Sequence, residues 1–219
     1  PAKLHEGTTR SAYHLCMFRY DKNEFAGLDR AKFLSALSAE GVPASSGYGP
    51  MNKGEYVRGL ALNGFEVGIR ISGSGGNIIQ GNFIGTDANG TAALGNTSDG
   101  IRVHSAGNLI GGDAAAARNV ISGNLGNGVI LDGSNAVNNV VQGNLIGTAD
   151  GSLLPLGNGQ NGVAVRNSAA NNLVGPDNVI AFNALNGVLL DPSSGNGNGI
   201  RGNAIYSNGS LGIDLGGDG

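Results

Sequence analysis

The sequence predicts a mainly β fold, a solenoid of short parallel strands arranged three to a coil. Three observations carry that reading. Residues 77–85, Asn-Ile-Ile-Gln-Gly-Asn-Phe-Ile-Gly, return at 139–147 as Asn-Val-Val-Gln-Gly-Asn-Leu-Ile-Gly, and residues 119–132 (NVISGNLGNGVILD) return at 178–191 (NVIAFNALNGVLLD). Self-similarity of this kind is the mark of a repeat architecture. Gly makes up 41 of 219 residues, against a usual ~7%. Aromatic residues thin out along the chain: after residue 66 only Phe83, Phe182 and Tyr206 remain, so the core there must be aliphatic.

The elementary unit is shorter than the 62-residue offset. Gly followed by apolar-x-apolar recurs at 68, 100, 128, 162, 187 and 212 (GIRI, GIRV, GVIL, GVAV, GVLL, GIDL). Asn opens a second short apolar segment at 77, 108, 139, 172 and 198, and a third at 82, 119, 144, 178 and 203. Turn dipeptides such as Asn-Gly and Asp-Gly separate the segments. Strands this short are stable only when each pairs with its equivalent one coil away, about 4.8 Å distant. Alternate side chains then stack inward in two columns. One is Ile69, Ile101, Val129, Val163, Val188 and Ile213; the other is Ile71, Val103, Leu131, Val165, Leu190 and Leu215. Asn at the strand starts can stack as well, bonding its amide to the coils above and below. Helical solenoids need apolar-periodic helices of ten residues or more, and none is legible past residue 66. Calcium-binding nonapeptide repeats need Asp at a nine-residue period, which Asp87, Asp99, Asp113 and Asp132 do not keep.

Composition excludes several classes. Six Pro and no G-X-Y period exclude collagen. A net charge of −3 with 40% apolar residues argues against charge-driven disorder. No apolar run reaches the ~18 residues of a membrane span. A single Cys, Cys16, excludes an internal disulfide framework. The acidic balance argues against a nucleic-acid face. Pro1 in place of Met points to a trimmed start.

Residues 1–56 are a different kind of sequence, expected to form an α/β capping segment ahead of the solenoid of residues 57–219. Every Lys lies there, the last being Lys53, with most of the aromatics. Residues 13–20 read as a strand, carrying His14 and Cys16 on one face. Residues 28–40 read as a helix, with apolar positions at 28, 31, 33, 34 and 37. Gly41 is its C-cap, and residues 42–48 read as an edge strand because of Pro43. A cap is needed because the first coil of a solenoid exposes unpaired strand edges. The chain ends soon after GIDL at 212–215, with no amphipathic helix following, so the last coil is expected to be uncovered and to associate end to end.

The units GNFIGTDANGTAALGN and GNLIGTADGSLLPLGN, with NVISGN and GNGV, resemble the right-handed parallel β-helix repeats of bacterial secreted and surface proteins. That resemblance implies a right-handed helix of about five and a half coils, a pectin lyase-like architecture and an extracellular or cell-surface location. SAYHL at 11–15 and DRAKFLSALSAEGVPASSGYGPMNK at 29–53 resemble the C-terminal part of the DegT/DnrJ/EryC1/StrS sugar aminotransferases. In that family the pyridoxal phosphate lysine belongs to the large domain, which has no counterpart here, so no cofactor is expected.

Three sets of residues are candidates for chemistry. Loops 86–99 and 148–161 leave the same strand two coils apart and should protrude side by side, with Leu94 and Leu156 folded back on the flank. Asp87, Asn89 and Asp99 could offer oxygen to calcium, but the second loop does not reproduce the set, so plain turns are the expected reading. His104, Asp132, Arg166 and Asp191 occupy one repeat position in four successive coils and should form a surface row. β-helix polysaccharide lyases and hydrolases use surface carboxylates and a basic residue of this kind. Two carboxylates ~6.5–9.5 Å apart suit inverting hydrolysis, yet Arg166 between them would lower both pKa values, the opposite of what a general acid needs. A second outward row, Arg70, Arg102, Ile130, Ala164, Leu189 and Asp214, has an aliphatic middle that is either a contact patch or covered. The functional expectation is a non-catalytic scaffold contacting polysaccharide, the alternatives being a lyase or hydrolase and a remnant of sugar-nucleotide aminotransfer.

Overall fold

The structure is a computed structural model, and it describes residues 56–58, 61–151 and 154–216. The strand, helix and edge strand expected within residues 1–55 lie outside these residues, as does most of the expected cap.

Among the described residues, eighteen strands of two to four residues form three six-stranded sheets, all parallel. Sheet A runs through Tyr56–Arg58, Ile78–Gln80, Leu109–Gly111, Val140–Gln142, Leu173–Val174 and Gly199–Ile200. Sheet B runs through Ala61–Leu62, Phe83–Ile84, Val120–Ile121, Leu145–Ile146, Val179–Ala181 and Ala204–Tyr206. Sheet C runs through Ile69–Ile71, Ile101–Val103, Val129–Asp132, Val163–Arg166, Val188–Leu190 and Ile213–Asp214. Each strand pairs with its equivalent from the coil before and the coil after, the arrangement of a parallel β-helix. Helix is confined, among the described residues, to the 3-10 turn Ala115–Ala117.

The register follows the apolar columns. Ile69 pairs with Ile101, Ile101 with Val129, Val129 with Val163, Val163 with Val188, and Val188 with Ile213. Val103, Leu131 and Val165 stack beside them and are wholly buried, as are Ile84, Ile110, Ile121, Ile146 and Ile180 from the other two sheets. Burying each such side chain contributes roughly 1.5–3 kcal/mol. Packing of this kind supplies a core without aromatics. In the last coil the columns run into solvent: Ile213 is 43% exposed and Leu215 71%.

Four rows of Asn side chains turn the corners. The first runs Asn77, Asn108, Asn139, Asn172, Asn198; in each step the backbone N–H and the side-chain amide of one residue both donate to Oδ1 of the next. The second runs Asn82, Asn119, Asn144, Asn178, Asn203. A third, Asn96, Asn124, Asn158, Asn183, Asn208, repeats the pattern where the chain leaves sheet B. The fourth runs the other way: Asn127 donates back to Asp99, Asn161 to Asn127, Asn186 to Asn161, and the Leu211 N–H to Asn186. These rows satisfy backbone donors at corners that no sheet ladder reaches.

Close approach at the corners demands Gly. Gly147 has φ of 87°, and a Cβ there would lie 2.0 Å from the Ala181 carbonyl oxygen one coil on.

Candidate functional site

Sheet C brings the four residues of the expected row together at its edge. Arg166 pairs in register with Asp132, His104 follows the Val103–Leu131 pair, and the Asp191 N–H donates to the Val165 carbonyl. Neighbouring members are therefore one coil apart. Arg166 Nη2 donates to Asp132 Oδ2 at 3.1 Å, and His104 Nδ1 lies 2.8 Å from the Asp132 carbonyl oxygen. Asp191 makes no hydrogen bond to Arg166; its Oδ1 accepts from the Ser193 N–H at 2.8 Å and the Ser193 hydroxyl at 2.5 Å.

Two further residues complete the cluster, and neither stood out in the sequence. The Asn167 side-chain amide donates to Asp132 Oδ1 at 2.7 Å, and the Asn167 N–H donates to the Ser193 hydroxyl at 2.9 Å. Both come from the turns after the strands, and Asn167 has a positive φ of 53°. The only sequence signal for either is a polar residue just beyond the row position.

Both carboxylates are held ionised. Burial of Asp132 favours its neutral form, but the hydrogen bonds from Arg166 and Asn167, with the charges of Arg166 and His104, outweigh it and bring the pKa below its ordinary 3.8. For Asp191 the hydroxyl and N–H of Ser193 dominate; burial opposes them weakly, the charge of Arg166 adds to them, and this pKa also falls below 3.8. Arg166 is half-exposed, and its Nε is buried with no hydrogen-bond partner.

The expected calcium set does not converge on one point. Asp87 accepts from the Thr91 N–H at 2.7 Å and the Ala92 N–H at 3.1 Å, closing its own turn, and these bonds lower its pKa. Asn89 is exposed at the tip of that turn. Asp99 is buried, paired with Arg102, and heads the fourth Asn row. Among the described residues no group of three His, Cys, Asp or Glu side chains is placed to hold a metal ion.

The two loops do lie side by side. Each closes as a hairpin, through Thr86 with Ala93 and Thr148 with Pro155, and the Asp150 N–H donates to the Gly90 carbonyl at 2.9 Å. They meet over the short corner of the coil between them, where Gly123 donates to the Leu156 carbonyl. Leu156 is half-buried as expected, but Leu94 is 51% exposed. Its N–H closes the hairpin on Gly85, and its side chain stays in solvent.

In the second outward row Ile130 and Ala164 are buried, so its aliphatic middle is not an open patch. A cleft of about 450 Å³ lies on the sheet A to sheet B corner, lined by Asp113, Arg118, Asp177 and several small residues. No helix among the described residues is long and apolar enough to cross a membrane. No family model, curated protein or solved structure compared with the chain matches it.

Proposed function

We propose that this chain is a non-catalytic β-solenoid scaffold, secreted or displayed at the cell surface, whose sheet C edge contacts acidic polysaccharide. The observation that carries the non-catalytic part of this reading is that both carboxylates of the row have lowered pKa values and internal donors. Glycoside hydrolysis needs a carboxylic acid that stays protonated near neutral pH. Lyase chemistry needs a base, and Arg166, with its permanently high pKa, is a poor one. Arg166 can instead meet the carboxylate of an acidic sugar, since its guanidinium offers more donors than Asp132 uses. The scaffold is read as a right-handed helix of about five and a half coils. Its aminotransferase-like residues 1–56 serve as a small β-α-β cap that binds no pyridoxal phosphate.

Calorimetric titration with an acidic and a neutral polysaccharide tests the glycan contact. The acidic polymer should bind, with affinity falling about tenfold or more in Arg166→Ala, in line with loss of a charge-assisted bidentate contact. Equal binding of the neutral polymer, or an unchanged affinity in the variant, would overturn the assignment of this edge.

A further inference from the structure

The chain contains nine Asn-Gly pairs, at Asn63, Asn89, Asn127, Asn158, Asn161, Asn186, Asn196, Asn198 and Asn208. In such a pair the glycyl nitrogen can attack the Asn side-chain carbonyl, because Gly presents no side chain to obstruct it. The attack needs a glycyl N–H free of hydrogen bonds and an Asn side chain free to turn. In seven pairs the N–H is engaged: Gly90 donates to Asp87, Gly128 to Asn161, Gly159 to Asn124, Gly162 to Asn186, Gly187 to Leu211, Gly199 to Asn172 and Gly209 to Asn183, each to a main-chain carbonyl. In an eighth, Asn63, the half-buried side chain is tied by its amide to the Thr86 carbonyl at 3.0 Å.

We propose that the ninth pair, Asn196-Gly197, is this protein's site of spontaneous deamidation. Both residues are exposed, Gly197 has a positive φ of 78°, and neither the Gly197 N–H nor the Asn196 side chain has a hydrogen bond. The Gly197 nitrogen loses its proton and bonds to Asn196 Cγ. The Cγ–Nδ2 bond breaks, and ammonia leaves carrying that proton. Water then opens the cyclic imide at either carbonyl, giving Asp or isoaspartate. The isoaspartyl product routes the main chain through Cγ, and the carbonyl that now accepts from the Asn171 N–H at 2.9 Å becomes a free carboxylate. It also adds an atom to the main chain two residues before Asn198, where the first Asn row ends. Asn198 is the internal contrast: its own amide is bound to the carbonyls of Ala169 and Gly195, and its glycyl N–H is bonded as well.

The test is incubation of the folded full chain in mildly alkaline buffer, followed by proteolysis and fragment-ion mass spectrometry. Deamidation replaces NH2 by OH and adds about 1 Da. Asn196 should convert at least about tenfold faster than Asn198 in the same peptide, and than Asn127, Asn161 and Asn186, because those must open locally before they react. Both Asp and isoaspartate should appear at position 196, and Asn196→Gln should remove the fast phase without transferring it to Asn198. In denaturant the nine pairs should react at similar rates. Conversion of Asn198 or a buried-row Asn as fast as Asn196 in the folded chain would overturn the proposal. So would a preference for Asn196 that persists in denaturant, since local sequence rather than the fold would then set it.

Discussion

Asn119 donates both its backbone N–H and its side-chain amide to a single atom, Oδ1 of Asn144, at 3.3 and 2.8 Å. Asn144 in turn donates to Asn178 Oδ1 and to the carbonyls of Ile110 and Gln142, and it is wholly buried. Asn144→Ala strips partners from buried groups on both sides, so a stability loss of about 2–4 kcal/mol is expected. Asn144→Asp should cost at least as much, because a carboxylate cannot donate and its charge would be buried. Denaturant titration checks both; a loss below about 1 kcal/mol in each would contradict a structural role for the Asn rows.

Gly147→Ala should destabilise by about 3 kcal/mol or more, since it adds a clash with the Ala181 carbonyl to the strain of a positive φ. Gly151, which also has a positive φ but nothing within 4 Å of its Cβ position, is the control and should lose only about 1 kcal/mol. Thermal melts of the two variants separate clash from strain.

The Asp132 carboxyl should titrate below 3.8, and its pKa should rise in Arg166→Ala, because burial would then act with less opposition. The sign follows from the lowered folded pKa. The stability this group contributes is fully present above the unfolded value of 3.8 and is lost as pH falls through the folded value. Asp191 should behave likewise, with Ser193→Ala producing the larger rise there. Carbon-detected NMR titration reads both groups.

The coil repeat was legible because inward positions must be apolar in every coil. The columns through Val129 and Leu131 could be read from spacing alone, as could the Asn rows at 77 and 82. The third and fourth rows are not legible in the same way, since Asn96 is followed by Thr97 and Asn127 by Gly128, whereas Asn77 and Asn82 lead directly into apolar segments. Nothing in residue type reveals that Asn127 donates backward while Asn119 donates forward. The surface row was readable from register, but its closure through Asn167 and Ser193 depends on turn geometry. Exposure of Leu94 likewise follows from how the hairpin closes on Gly85.

The sheet C row is proposed to bind polysaccharide without catalysing. The most direct measurement is turnover of acidic polysaccharides by the full chain, followed through the ultraviolet absorbance of unsaturated sugar ends and through reducing ends, with Arg166→Ala as control. Neither signal should rise above the variant's background, because Asp132 and Asp191 are held ionised and Arg166 is a permanent cation. Turnover that disappears in Arg166→Ala would contradict the proposal and identify the row as a catalytic site.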